Sequence, residues 1–267
     1  MRRIKVFAII ALMGSLLLGC GLGKSSSQKM VEKVTKNTEA NDSYGANATL
    51  QLQMKIGGQQ VNCKEQSELT YIKSPFEFNL RNHKTDVKGN TSDSEVYYNN
   101  QKSSNIIYTC MDGESWLKQK YSKKAITNIN DQYLVPIGLD VFLSNASSFK
   151  KVEGESGICL KGTVEKDKIL DVLDNSGVLS LLQIGKLQKE DLSKLADVSV
   201  TVHIDQDSEE LTELEVDMTK SFQDVVGEMF NQKEKLYEID SCQLKIDMTE
   251  YNKKAIQVPE GLKLTNK

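Results

Sequence analysis

The residues able to do chemistry are few and scattered. Two histidines, His83 and His203, lie 120 positions apart, and neither has a ligand partner at the short spacing of an H-E-x-x-H helix. No G-x-S-x-G elbow and no phosphate-cradling Walker loop occurs. Glu209, Glu210, Glu213, Glu215 and Asp217 form an acidic hairpin. Their spacing is not the oxygen-ligand spacing of an EF-hand, so the expectation is a solvated strand face. Neither a catalytic set nor a metal site is indicated, no cofactor is expected, and the chain is read as a non-enzyme. That leaves the five cysteines. Four of them, Cys63, Cys110, Cys159 and Cys242, permit two disulfides in three connectivities, or four buried thiols, and none sits in a C-x-x-C pair. The fifth, Cys20, stands in a different context.

Arg2, Arg3 and Lys5 precede an uncharged, mostly apolar run from Val6 to Leu18, which ends in Leu17-Leu18-Gly19-Cys20. Basic start, apolar middle and small residue at the junction are the layout of a secretory signal. Thirteen residues are too few to cross a hydrocarbon core, which takes roughly 20 in a helix. The stretch resembles the bacterial lipobox, in which a diacylglyceryl group is carried on the cysteine thiol and cleavage falls just before it. Leu18 departs from the usual Ala or Ser. Residues 1–19 are therefore expected to be a lipoprotein signal peptide and Cys20 the lipidated residue. Residues 20–28, polar and glycine/serine-rich, are expected to be a flexible tether.

Of the 34 basic residues three lie in the leader, which has no anion, so against 37 acidic residues the mature chain carries about −6. Nucleic acid is an unfavourable partner, because phosphate binding needs a basic patch that this balance does not supply. The short clusters Lys118–Lys124 and Lys253-Lys254 read as solvated strand and turn positions. Only three prolines and 17 glycines in 267 residues argue for an ordered domain beyond the tether.

The elements that must position any site are mostly strands. From Tyr44 to Ile56 small or apolar residues (Ala46, Ala48, Leu50, Leu52, Met54) alternate with polar ones, as in a half-buried antiparallel strand. Gly57-Gly58 then predicts a tight hairpin placing Leu52 opposite Cys63 and Leu50 opposite Glu65. A second hairpin around Asp112-Gly113 is expected to set Tyr108 against Leu117. Phe149 to Val164 predicts a third. Residues 82–94 read as a wide loop. Val198 to Ile204 and Leu211 to Asp217 alternate regularly, and Leu236 to Tyr251 makes the last strand. Helices are expected at 28–40, 131–145, 166–183, 189–196 and 221–235. In the last of these Phe222, Val225, Val226, Met229 and Phe230 keep one face apolar, and Ser221 with Asp224 resembles a capping box. With no β-α-β-α alternation, the fold class is α+β: a curved antiparallel sheet of about ten strands, an incomplete barrel, with helices over its concave face. Residues 29–267 are read as a single domain.

The lipobox and tether, the short helix entering the Tyr44–Ile56 strand, the late hairpin Val198–Thr219 with its Ile204-Asp205…Leu211…Asp217 pattern and the closing Val258-Pro259-Glu260 together resemble a known group. They are similar in layout to the Gram-positive bacterial lipoproteins of the lipoprotein-carrier (LolA-like, LppX-like) superfamily. That resemblance implies an anchored protein on the extracytoplasmic face of the cell membrane, binding an apolar or lipid-like ligand between sheet and helices. Phe222, Val226, Met229, Phe230, Leu50 and Leu52 are then the candidate cavity and lid residues. The competing expectation is an envelope scaffold with a densely packed interior and no ligand cavity. Both share the anchor. Cells expressing Cys20→Ser and fed labelled palmitate should yield uncleaved protein carrying no label, and retention of label would remove Cys20 as the lipid site.

Overall fold

The computed structural model describes residues 24–103, 105–132, 139–154, 157–182, 195–229 and 236–264. All eleven strands among the described residues belong to one antiparallel sheet. They are β1 (Ser43–Ile56), β2 (Gln59–Ile72), β3 (Glu77–Thr85), β4 (Thr91–Asn99), β5 (Ile106–Met111), β6 (Leu117–Lys120), β7 (Ala146–Lys151), β8 (Ile158–Val164), β9 (Ser199–Ile204), β10 (Leu211–Asp217) and β11 (Tyr237–Tyr251). Their spatial order is 6-5-4-3-2-1-11-10-9-8-7. Apart from β6 and β7, which form the two edges, every strand lies beside its neighbours in sequence, and the first pairs with the last. The meander is open between edge strands β6 and β7 and is not a closed barrel.

The β1–β2 hairpin has the expected register, with Leu52 opposite Cys63 and Leu50 opposite Glu65. Both Gly57 and Gly58 take positive φ (57° and 82°), which a tight two-residue turn of this kind requires. The second hairpin is shifted by one residue, with Tyr108 opposite Lys118 and Thr109 opposite Leu117. Its turn is longer than Asp112-Gly113 alone. Glu114 N–H closes on Met111 O at 2.9 Å and the Cys110 thiol donates to Glu114 O at 3.0 Å, so Glu114–Trp116 lie outside the ladder. Residues 82–94 are no wide loop either. β3 and β4 pair without a break from Glu77/Asn99 to Thr85/Thr91. Charge replaces apolar alternation there: Arg81 lies 2.9 Å from Glu95, and His83 lies 2.7 Å from Asp93.

Seven α-helices occur among the described residues: α1 (Ser26–Ala40), α2 (Asn100–Ser103), α3 (Lys123–Gln132), α4 (Leu139–Ser144), α5 (Ile169–Asn175), α6 (Val178–Leu181) and α7 (Thr219–Met229). α1 begins two residues before expectation because Ser25 caps it, its Oγ accepting from Gln28 N–H at 3.1 Å. The end of the expected tether is therefore helical. The helix expected at 131–145 is represented by α3, which starts inside a stretch read as basic strand and turn, and by α4. The expectation of a helix at 189–196 falls largely outside the described residues. No described helix is long and apolar enough to cross a membrane.

One core joins the apolar face of the sheet to the helices. Leu50, Leu52, Val200, Leu214 and Ile246 from the strands share it with Val31 and Val34 of α1, Phe142 of α4, Val172 of α5, Leu179 of α6 and Phe222 of α7. An aromatic cluster extends this face toward β4, with Tyr44 stacked on Tyr71 at 4.9 Å and 17°. On the opposite face the C-terminal segment lays Ile256, Val258 and Leu262 over Tyr97, Tyr108 and Trp116.

All four described cysteines are unbridged and buried. The sheet explains why for two of them. Cys63 and Cys242 flank Leu52 on opposite sides, one on β2 and the other on β11. Two strand spacings place their Cα atoms about 9–10 Å apart, beyond the ~7 Å limit for a disulfide. Edge strand β7 is held by Phe149, whose ring lies where a Gly162 Cβ would stand, at 2.7–2.9 Å. Gly162→Ala should therefore cost about 1–3 kcal/mol, the usual penalty for overpacking. The check is a lowered urea midpoint at unchanged m-value, and an unchanged midpoint would show that Phe149 does not bear on this glycine.

Candidate functional site

The sheet offers two surfaces, one apolar under the helices and one polar. On the apolar side Leu50 and Leu52 are 4% and 0% exposed, and Phe222 and Val226 are 0% and 1%. These four residues meet in one core and are packed there. Leu50 Cδ2 lies 3.6 Å from the position a Cβ on Gly177 would take, so it supports the turn between α5 and α6. Met229 is 40% exposed at the end of α7. Phe230 and Cys20 lie outside the described residues.

Helix α7 is fastened by polar side chains. Where β10 ends at Asp217, the edge of β11 would lose its partner, and α7 takes the place of one. Thr219 Oγ1 accepts from Cys242 N–H at 3.0 Å, and Gln223 Oε1 accepts from Ile239 N–H at 2.7 Å. The bulge at Asp240, visible as a register shift between Gln53 and Met54, aims the second of these donors. Ser221 and Asp224 do not form a capping box. α7 begins at Thr219, whose N–H donates to Asp217 Oδ1 at 3.0 Å. Ser221 and Asp224 instead clamp one residue from outside the helix: Ser221 Oγ donates to Ala196 O, and Asp224 Oδ2 accepts from Ala196 N–H at 2.7 Å. Among the described residues helices α4, α5 and α6 have six, seven and four residues, lengths at which a helix owes most of its stability to packing.

The polar side carries a cross-strand row eight strands wide. From β5 to β9 through the centre it reads Cys110, Glu95, Arg81, Glu68, Asn47, Asp247, Glu213 and His203, each opposite the next. Cys159 of β8 continues it beyond His203. A depression of about 610 Å³ opens on this face, lined by Asn47, Thr49, Gln66, Arg81, His83 and Asp93 among others. Toward the other edge Lys245 Nζ donates to Glu213 Oε2 at 2.6 Å. Burial works to raise the Glu213 pKa, but the Lys245 ammonium and the hydrogen bond with Asp247 outweigh it and hold the carboxyl below its ordinary value. Asp247 moves the other way, raised by burial and by its contact with Glu213. Tyr97, buried beside Glu77 with a 2.9 Å hydrogen bond to it, has its phenol pushed well up by burial and then by that carboxylate.

Sequence reading located the apolar core residues but not this row. The expectation there is His83 in a loop and His203 on the polar face of its strand with no local ligand partner. The missing signal was register: once β9 and β10 pair, His203 faces Glu213.

No family model and no curated protein matches the chain. Among solved structures it is similar to LprF from Mycobacterium bovis, at 11% identity and a TM-score of 0.43, over 89% of this chain and 99% of that one. A DUF1329 family protein from Desulfovibrio piger aligns over 89% of this chain and 94% of its own, at 10% identity and a TM-score of 0.24. A LolA superfamily protein from Nitrosomonas europaea aligns over 87% and 96%, at 8% identity and a TM-score of 0.26.

The hairpin that carries His83 and Asp93 to the depression closes at the β3–β4 turn. There Asp86 Oδ1 accepts from Lys88 N–H at 2.8 Å and Asn90 N–H at 2.9 Å, and Oδ2 from Asn90 Nδ2 at 3.1 Å. The Asn90 side-chain bond, followed by its backbone bond, lowers the Asp86 pKa below the ordinary 3.8. A lowered folded pKa stabilises the turn above the unfolded value, and that contribution is lost as pH falls through the folded value. Amide exchange at Lys88 and Asn90 should accelerate below about pH 4 beyond the intrinsic rate. Asp86→Asn should remove the pH dependence, and exchange that is flat with pH in the wild type would refute the role.

Proposed function

We propose that this chain is a membrane-anchored, extracytoplasmic, non-catalytic binding protein, tethered through lipid on Cys20, whose ligand is apolar or lipid-like and lodges between sheet and helices. The reading rests on one observation: a single apolar layer from β2 to β8 is roofed in its middle by helices of four to seven residues. Parting short helices from such a layer uncovers apolar area without breaking the strand ladder. α7 is the fixed wall, because its side chains complete the hydrogen bonding of β11. α5 and α6 are the moving part. A described polar tie on α6 is Lys84 Nζ donating to Ser180 O at 3.2 Å. From Cys20 to the start of α1 at Ser26 the chain spans about 20 Å at full extension, which keeps the domain against the bilayer.

The second reading is a docking scaffold. It is favoured by the close burial of Leu50, Leu52, Phe222 and Val226, and by edge strand β6, whose four residues are all exposed. One experiment separates the two. Native mass spectrometry of protein from its own host is expected to show one acyl-chain adduct per chain. A fluorescent fatty acid should displace that adduct, and faster in Lys84→Met than in wild type. No adduct and no probe binding in either protein, with the fold intact, would overturn the ligand reading and leave the scaffold.

A further inference from the structure

Near the β8–β9–β10 end of the polar face, three side chains with metal-ligating atoms converge, His203, Glu213 and Glu215, and the thiol of Cys159 lies beside the first of them. Cys159, His203 and Glu213 stand side by side on three adjacent strands, and Glu215 is two residues along β10 on the same face. The His203 Nε2 atom is the centre of the group. It lies 3.6 Å from Glu213 Oε1 and 3.9 Å from Cys159 Sγ. One ligand atom each from His203, Glu213 and Glu215 falls within 4.8 Å of the others.

These separations approach those of a tetrahedral shell. Zinc–nitrogen and zinc–oxygen bonds of about 2.1 Å and a zinc–sulfur bond of about 2.3 Å set N···O near 3.4 Å and N···S near 3.6 Å. The His203–Glu213 and His203–Cys159 distances exceed these by about 0.2 and 0.3 Å, within the reach of side-chain torsions. Glu215 must move further, and it is exposed. Cys159 is 2% exposed. Yet register puts it on the polar side, because its neighbour Leu160 faces Val202 in the apolar core.

The surrounding contacts orient the donors. Glu213 uses Oε2 to accept from Lys245 and turns Oε1 toward His203. Thr212 Oγ1 donates to His203 O at 3.1 Å and fixes that backbone. Such outer contacts set ligand direction in metal sites.

We propose that Cys159, His203, Glu213 and Glu215 bind one divalent transition metal of the zinc class, with the thiol giving up its proton on binding. A set with one sulfur, one nitrogen and two oxygens suits a borderline-soft ion rather than calcium or magnesium. With four protein donors the site is a closed, structural one, and it clips β8, β9 and β10 together beside edge strand β7. The inference does not depend on what the apolar layer binds.

The test uses the full chain, stripped with chelator and titrated with Zn2+ and with Co2+. The expected result is one zinc per chain after gel filtration, a higher Tm, and a cobalt spectrum with a thiolate-to-metal band in the near ultraviolet. Cys159→Ser should abolish that band. His203→Gln should weaken zinc binding by at least about tenfold, while His83→Gln leaves it unchanged. Urea midpoints of the metal-free variants equal to wild type verify that the fold is kept. Substoichiometric uptake, uptake unaffected by His203→Gln, or a cobalt spectrum lacking the sulfur band each overturns the proposal.

Discussion

The pairing of β1 with β11 is the constraint on which the rest of the molecule depends. It runs from Tyr44 opposite Tyr251 to Ile56 opposite Tyr237, and it joins the first strand of the sheet to the last. Without it the chain would be two separate meanders, β1–β6 and β7–β11. Each would carry one apolar face too wide for the helices near it to cover. With it the two halves share a continuous layer, and Leu52 sits at its centre between Cys63 and Cys242. Bulges at Asp240 and Thr249, read from the register shifts, bend this central pair and re-aim its edge. Contacts of such sequence separation are the slowest to form, because loop-closure entropy must be overcome first.

That single pairing also decides what the helices do. β10 is shorter than β11, so the N-terminal part of β11, Tyr237 to Cys242, extends beyond Asp217, the last β10 residue in that ladder. α7 meets the exposed edge with Thr219 and Gln223 rather than with a strand. A helix whose polar side chains satisfy strand donors is costly to remove, since each buried N–H left unpaired costs about 1–3 kcal/mol. The short helices α4–α6 have no comparable role in the described structure. The division between a fixed and a movable part of the roof follows from backbone hydrogen bonding, and not from how apolar each helix is.

Much of this fold was legible in the sequence, for identifiable reasons. Where one face is apolar and the other polar, as in Tyr44–Ile56, period two fixes both strand and register, and Gly57-Gly58 fixes the turn. Reading failed where the signal was not apolar. Residues 82–94 pair through Arg81, His83, Glu95 and Asp93, and a strand polar on both faces resembles a loop. The Asp112-Gly113 hairpin slipped by one because Glu114–Trp116 add to its turn. The capping box failed because Ser and Asp three residues apart also suit a clamp on another segment, here at Ala196.

The polar face illustrates the same limit in its strongest form. Cys159, His203 and Glu213 are 44 and 10 residues apart and match no motif, because motifs record ligands on one helix or loop. A sheet assembles ligands differently: cross-strand neighbours lie about 5 Å apart whatever their distance in sequence. In an antiparallel meander, each register therefore produces rows of side chains that no sequence pattern records. Most such rows are solvated charge, as in Arg81 with Glu68 and Glu95. The row at β8–β10 differs in having a buried thiol and an imidazole nitrogen that faces two further donors. Donor type, more than acidity, sets that end of the face apart from its centre.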